Sequence, residues 1–193
     1  MKKSTLITLL ACLITASSFA TTVSFSGSSI FLSDGFSLVP QSSHISAGYF
    51  DGAFTDFAGL DSRTWTDINS ADYIEVFSAS VNPAGAGAGS GSATGIIGEK
   101  LYVWVFNSVG APVGAVNTQE HGLFTGSDGA WTAEGDNFIS DFNFLDVNII
   151  DNAVYGSDLG ANVSLAAAVP EPSAFALLAG AFGIAAVMVR RRR

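Results

Sequence analysis

Apolar and polar side chains alternate with period two at several places in the middle of the chain, which predicts short β-strands. Residues 23–26 (VSFS) alternate strictly, and residues 73–77 (YIEVF) alternate in part. Residues 101–106 (LYVWVF) are apolar at every position, which is typical of a strand buried on both faces. No long stretch has the 3.6-residue period of a helix, and residues 61–71 predict at most one short helix or turn.

Turn-forming sequences separate these strands at short intervals. They include Asp-Gly pairs at 34–35, 51–52 and 128–129, Asn-Pro at 82–83 and the run 110–112. The residues that flank 51–52 predict a β-hairpin. Many short strands joined by turns favour an all-β fold, with a single β-sandwich of jelly-roll-like type over residues 21–168. A barrel is the alternative, and the sequence contains no evident propeller or solenoid repeat.

Residues 82–98 (NPAGAGAGSGSATGIIG) interrupt the strand pattern with a Gly/Ala/Ser-rich stretch. The stretch has few side chains able to fill a core. We therefore predict a flexible loop between a strand that ends near Val81 and one that begins near Glu99. Its glycines match neither G-x-G-x-x-G nor G-x-x-x-x-G-K, so nucleotide binding is not indicated.

Residues 1–20 have the layout of a secretory signal peptide. Residues 2–3 are lysines, residues 6–16 are mainly apolar, and residues 18–20 (SFA) place small side chains before a signal peptidase cut after Ala20. The apolar run is shorter than the ~20 residues that span a bilayer. A loose lipoprotein box that ends at Cys12 is the alternative. A cut after Ala20 leaves a mature protein without cysteine.

The segment 169–193 has three parts. Pro170, Glu171 and Pro172 form an extended joint, because two prolines this close do not lie inside a helix. Residues 173–189 are apolar or small and predict a transmembrane helix, slightly short for the ~30 Å hydrocarbon core. The chain ends in a basic cluster that we expect to stay in the cytoplasm, formed by Arg190, Arg191, Arg192 and Arg193.

This order of Pro170-Glu171-Pro172, apolar helix and terminal arginines resembles the PEP-CTERM sorting signal of Gram-negative bacteria. The resemblance implies processing by a membrane transpeptidase-like enzyme, the exosortase. It also implies export across the inner membrane, an inner-membrane intermediate, and a final place at the cell surface or in the extracellular matrix. It covers about 25 residues, and so implies no activity for the middle of the chain. An ordinary tail anchor with a proline-containing linker is the alternative.

The formal net charge of −9 averages over segments of very different composition. Six of the eight basic residues lie in the two termini. Residues 21–168 carry sixteen carboxylates against Arg63 and Lys100, a formal charge of −14. Nucleic acid is thereby excluded as a partner, because phosphate binding needs Lys and Arg. The single cysteine excludes a disulfide scaffold and a cysteine-based zinc module.

Candidate catalytic groups are few in residues 21–168, and we predict no catalytic residue. His44 and His121 are the only histidines, and we expect both at the surface. Glu120-His121 is the nearest approach to an acid–base or metal-binding pair, but no second histidine lies at ligand spacing. The G-x-S-x-G elbow is absent as well. A secreted hydrolase is therefore the least favoured function, and no metal site is predicted.

Asp and Asn residues recur about every five positions between Asp141 and Asn152. Oxygen-rich loops of this kind can hold Ca²⁺, which takes six to eight oxygen ligands. The EF-hand pattern fails, because Leu145 occupies a ligand position. We therefore predict polar turn residues and no required cofactor, and keep Ca²⁺ as the alternative.

The three tryptophans are candidates for a sugar-stacking surface. Trp104 lies in the apolar strand and is expected in the core, whereas Trp65 and Trp131 lie among Thr, Asp and Gly and are expected to be more accessible.

The sequence as a whole favours two functions. The first is a surface or matrix protein with a non-catalytic ectodomain, and the second is an exopolysaccharide-binding module, assisted or not by Ca²⁺.

Overall fold

The computed structural model describes residues 20–52, 54–126, 131–135, 139–144, 147–149, 155–160 and 162–169, together with Phe182 and Met188; for 139–143 and 147–149 it describes the backbone alone. Of the predicted signal peptide only Ala20 is among them. Pro170, Glu171, Pro172, the four terminal arginines and nearly all of the predicted transmembrane helix lie outside the described residues. Within the described part of the chain, no helix has the length and apolar character needed to cross a bilayer.

The described residues fold mainly into β-strands, which confirms the all-β prediction. The strands are β1 (Ala20–Ser26), β2 (Ile30–Phe31), β3 (Ser43–Phe50), β4 (Tyr73–Ser80), β5 (Ala88–Thr94), β6 (Leu101–Val109), β7 (His121–Gly126), β8 (Ile139–Asn143), β9 (Val147–Ile149), β10 (Ser157–Asp158) and β11 (Val163–Ser164). Three short helices accompany them: the 3₁₀ helices η1 (Phe57–Ser62) and η2 (Val116–Thr118), and the α-helix α1 (Trp65–Ala71).

The strands form three sheets. A five-stranded central sheet has the order β4-β3-β6-β7-β9, and two smaller sheets have the orders β5-β1-β8 and β10-β11-β2. Neighbours in the central sheet are antiparallel throughout, whereas β1 with β8 and β11 with β2 are parallel pairs. Sequence neighbours therefore often belong to different sheets, and the chain crosses repeatedly between them.

Strand β6 is buried on both faces, as its uninterrupted apolar sequence predicts. Leu101, Val103 and Val105 belong to one hydrophobic cluster, and the alternate residues Trp104 and Phe106 belong to another. Successive side chains of a strand point to opposite faces of the sheet, so a strand inside a three-layer arrangement is apolar at every position. The central sheet therefore lies between two cores.

The first core joins the central sheet to the two smaller sheets. It contains Phe25 of β1, Ile30 of β2, Ile45 of β3, Phe124 of β7 and Val163 of β11. The exposure of these side chains is at most 1%. All three sheets therefore share one apolar interior.

The second core is aromatic and is covered by the three short helices. Trp65 and Ile68, on one side of α1, pack with Tyr73, Trp104 and other rings of the central sheet. Helix α1 begins after Thr64, whose Oγ1 accepts a hydrogen bond from Asp67 N at 3.2 Å and so caps the first turn. The prediction of one short helix or turn within residues 61–71 is confirmed.

Residues 82–98 are not a continuous loop, because β5 occupies 88–94 and pairs antiparallel with β1. The prediction was wrong for a packing reason. Every second residue of β5 lies over β4, and a Cβ on Gly91 would lie 2.6 Å from Val76 O and 2.8 Å from Phe77 Cβ. Gly89 similarly faces the Phe77 ring. Because these glycines have no side chain, β5 can approach β4 closely.

The hairpin predicted around residues 51–52 is also absent from the described residues. Strand β3 ends at Phe50, and the chain continues into η1 instead of returning along β3. Phe54 stacks on Phe50 with ring centroids 4.8 Å apart. Asp51-Gly52 does form a turn, since Phe54 N donates to Asp51 O at 2.8 Å, but the packing of Phe54 on Phe50 directs the chain into the second core and not back along β3.

The close approach of β5 and β4 predicts the effect of a methyl group at Gly91. Gly91→Ala should lower the free energy of unfolding by about 1–3 kcal/mol, because the new Cβ overlaps β4. Ser90→Ala, on the exposed face of the same strand, should change it by less than about 0.5 kcal/mol. Urea unfolding of both variants measures the difference. Equal stabilities would contradict the packing described for β5.

Candidate functional site

Val169, the residue directly before the Pro-Glu-Pro sequence, is hydrogen-bonded to the domain. After β11, Ala166 N donates to His121 O at 2.7 Å, and Val169 N donates to Asn117 O at 2.8 Å. The next residue, Pro170, has no backbone N–H and cannot extend this pairing. The predicted sorting segment 169–193 therefore begins at a residue that is hydrogen-bonded to the domain.

Ala20, the predicted signal peptidase site, is the first residue of β1 and pairs with Thr94 of β5. A cut after Ala20 would leave Thr21 as the first residue of the mature chain. Six of the seven β1 residues would then remain in the strand. The cut itself stays a prediction.

Both histidines are buried, and the prediction that they lie at the surface was wrong. His44 on β3, Phe106 on β6 and His121 on β7 are cross-strand neighbours and form a row across the central sheet. The two imidazoles lie 6.1 and 6.4 Å from the Phe106 ring, and they are 9% and 2% exposed. This row faces the second core, which the residues next to each histidine in the sequence do not reveal.

The His121 ring is held by aromatic packing and by one hydrogen bond. Its Nδ1 lies 3.0 Å from Gln119 O, and the Tyr155 ring lies 4.9 Å from it. Tyr155 O–H donates to Phe57 O and accepts from Asp61 N, both at 2.9 Å, so it fastens η1 to this core. Burial, followed by the nearby Asp61 charge, raises the pKa of Tyr155 to about 12.

Burial lowers the pKa of His44 and of His121 below the ordinary value of 6.5. The charge of Glu75 opposes this shift for His44. The Nε2 atom of each ring has no hydrogen-bond partner among the described residues. Both groups are therefore neutral residues of a core.

Glu120 and His121 do not form an acid–base pair, because the His121 ring is buried in the second core while the Glu120 carboxylate binds Ser33 and Asn107. Ser33 donates to the Glu120 carboxylate through both N and Oγ, and Asn107 Nδ2 donates to it at 2.9 Å. Glu120 thereby connects the loop after β2 to the end of β6. Within the described residues, no group of three or more His, Cys, Asp and Glu side chains is arranged to hold a metal ion.

The three tryptophans are all buried, at 5% exposure or less. This agrees with the expectation for Trp104 and contradicts the expectation that Trp65 and Trp131 are accessible. Trp65 packs on Phe106 and Trp104, with ring centroids 5.1 and 6.0 Å apart. The tryptophans are core residues and do not form a sugar-stacking surface.

The candidate Ca²⁺ ligands between Asp141 and Asn152 have no described side chains. Asp141 and Asn143 lie on the backbone of β8, and Asn148 lies on that of β9. Asp146, Asp151 and Asn152 are outside the described residues. The Ca²⁺ alternative stays a prediction.

A cleft of about 270 Å³ lies where β3 ends and β6 begins. Half-buried rings of Phe54, Phe57 and Tyr102 line it, and charged groups from Asp51, Glu99 and Lys100 stand around it. Buried Phe50 supports the rings, with its centroid 4.8 Å from Phe54 and 5.0 Å from Tyr102. This cleft was not predicted from the sequence, although the phenylalanines at 50, 54 and 57 are a recognisable cluster of aromatic residues.

Comparison with known protein families assigns the carboxyl terminus. Residues 168–193 match the family model of the PEP-CTERM protein-sorting motif, which confirms the resemblance drawn from the sequence. The motif indicates a sorting signal addressed to an exosortase, and with it export and membrane-associated sorting towards the cell surface. No curated protein and no solved structure matches the chain.

The buried histidines predict a loss of stability in acid. Their pKa values are lowered in the folded state, so the unfolded chain binds more protons once the pH falls below about 6.5. The free energy of unfolding should therefore decrease as the pH falls through this range, and decrease less in the double variant His44→Gln/His121→Gln. Urea unfolding at several pH values tests this. Imidazole proton signals that titrate at or above 6.5 in the folded protein would contradict it.

Proposed function

We propose that this chain, which carries a PEP-CTERM sorting motif at residues 168–193, is an exported cell-surface or extracellular-matrix protein of a Gram-negative bacterium. Signal peptidase removes residues 1–20. An exosortase then processes the membrane intermediate at its C-terminal motif, where Pro170, Glu171 and Pro172 are recognised and Arg190 to Arg193 hold the cytoplasmic side. The exported cargo is a non-catalytic β-sandwich of jelly-roll-like type.

The junction between the domain and the motif is the observation that carries this proposal. The last described backbone hydrogen bond from the chain's carboxyl end is donated by Val169, and the matched motif spans residues 168–193. The motif thus begins within the last described residues of the domain, as expected of a cargo domain fused directly to its sorting signal.

The burial of the candidate catalytic groups supports a non-catalytic ectodomain. His44 and His121 lie in the second core, away from any surface substrate. Packing of the β5-β1-β8 sheet on the central sheet through a shared core supports the sandwich arrangement. The ectodomain then serves as a stable, acidic body at the surface.

Replacement of the Pro-Glu-Pro sequence tests the sorting proposal. Pro170→Ala/Glu171→Ala/Pro172→Ala should accumulate in the inner membrane, because the exosortase no longer recognises it. The matched control Ser173→Ala, the next residue along the chain, should be processed like the wild type. Cell fractionation and immunoblotting measure both. Equal amounts of wild type and triple variant in the surface fraction would contradict a role for the motif.

The aromatic cleft favours a second function, an exopolysaccharide-binding module. Ring faces of Phe54, Phe57 and Tyr102 suit the apolar CH face of a sugar, while Asp51 and Glu99 offer acceptors for its hydroxyl groups. The volume of about 270 Å³ is at the small end of ligand pockets, which restricts it to a short stretch of a polymer. The aromatic cleft thereby replaces the tryptophans as the candidate sugar-binding surface.

Retention on the host's own exopolysaccharide tests the cleft. The ectodomain should bind, and Asp51→Asn/Glu99→Gln should bind several-fold more weakly, because hydrogen bonds from sugar hydroxyl groups to a carboxylate are stronger than those to a neutral amide. Asp67→Asn/Asp158→Asn removes the same charge at exposed positions that do not line the cleft and should bind like the wild type. A chelator separates Ca²⁺-assisted binding from direct binding. No retention with or without chelator would exclude the binding module.

A further inference from the structure

One end of the domain carries both the departing tail and the most exposed apolar side chains. This exit end consists of residues 27–42, 81–87, 107–120 and Val169. Strand β6 runs towards it from Leu101 to Val109, and β3 leaves it at Ser43, which pairs with Val109. The loops are tied together, since Ser33 and Asn107 both donate to Glu120 and Val169 N donates to Asn117 O.

Three apolar side chains project from the exit end into solvent. Val113, Phe36 and Val109 are 94%, 86% and 83% exposed, higher fractions than those of the other large hydrophobic residues that the structure describes. Phe36 is held outward by a turn in which its N and that of Ser37 both donate to Asp34 Oδ1 at 2.8 Å. Exposed apolar groups collected at one place on a soluble domain mark a contact surface.

The exit end is also nearly free of charge, although the ectodomain as a whole is strongly acidic. Residues 27–42 contain one carboxylate, Asp34, residues 107–120 contain one, Glu120, and residues 81–87 contain no charged residue. In contrast, residues 51–72, which follow β3 at the opposite end, contain five carboxylates and one arginine. Anionic lipid repels carboxylates, so the exit end is the part of this domain that can approach a bilayer at the lowest electrostatic cost.

The length of the joint fixes how far the domain can stand from the membrane. Four residues, 170–173, separate Val169 from the apolar run that begins at Ala174. Five backbone steps span at most roughly 17 Å. The polar headgroup layer itself takes roughly 5–8 Å on each side of the hydrocarbon core. Because Val169 is hydrogen-bonded to Asn117, the exit end must lie close to the headgroups whenever the tail is inserted.

We propose that the exit end is a bilayer-facing surface, which rests Phe36, Val109 and Val113 on the lipid headgroup layer while the tail is inserted. The inference rests on the proposed function, since it requires the membrane intermediate. It goes beyond that function by assigning the domain an orientation. The acidic end around residues 51–72 and the aromatic cleft point away from the bilayer, and Pro170 to Pro172 lie between the domain and the membrane, where a membrane enzyme can reach them.

Lipid quenching of a fluorescent label tests this surface. The full chain with Cys12→Ser, purified from cells that lack the exosortase, receives one cysteine, either Ala111→Cys at the exit end or Ile97→Cys before β6. The nine residues of β6 separate these positions by about 27 Å. In phosphatidylethanolamine–phosphatidylglycerol vesicles with headgroup nitroxides, the label at 111 should be quenched several-fold more strongly than the label at 97. Phe36→Ser/Val109→Ser/Val113→Ser should reduce that difference, because the joint still keeps this end near the headgroups while the side chains that contact them are gone.

The possible failures are distinguishable. If alkaline carbonate releases the chain from the vesicles, the membrane intermediate is contradicted, and the orientation with it. If the chain is retained but labels at 111 and 97 are quenched equally, the orientation alone is wrong and the anchor stands. If quenching differs but the triple serine variant retains the difference, the apolar side chains are not the contact. If the label at 111 is quenched no more than the label at 97 in lipid vesicles, but its fluorescence changes when the exosortase is added to the vesicles, the surface contacts that enzyme and the lipid contact is wrong.

Discussion

Burial of both faces of the central sheet is the constraint on which the rest of the structure depends. Strand β6 supplies Leu101, Val103 and Val105 to one side and Trp104 and Phe106 to the other. One side is covered by the two small sheets, and the other by the short helices, which lie over a core of aromatic rings. The two covers use opposite means, since Gly89 and Gly91 allow β5 to approach β4 while large rings fill the space beneath α1.

These two covers also explain where the sequence is informative and where it is not. The all-β class, the doubly buried β6 and the short helix could be read from local patterns. The Gly/Ala/Ser-rich stretch could not be recognised as a strand, because its fitness for β5 depends on Val76 and Phe77 of a neighbouring strand. The same holds for His44 and Trp65, whose polar neighbours in the sequence suggest exposure, while the rings that bury them, including each other and Phe106, come from distant parts of the chain.

The functional signals divide in the same way. The sorting motif is contiguous, so order and spacing identify it without any structure, and the family model agrees. The aromatic cleft and the exit end are assembled from separate segments, which only the topology brings together. Nothing in the sequence singles out Phe36 or Val113. They become candidates for a contact surface because hydrogen bonds to Glu120 join their loops at the end of the domain where Val169 lies. The acidic charge likewise becomes informative once it is seen to avoid this end.

The central claim is that the ectodomain is a cargo carried between two removable signals. The intact mass of the wild-type protein, isolated from the cell surface or the extracellular matrix, tests it most directly because both ends are read in one measurement. The account predicts a polypeptide that begins at Thr21, contains no cysteine and lacks Arg190 to Arg193, with any added mass located at its new carboxyl end. A surface form that retains Arg193 would contradict it.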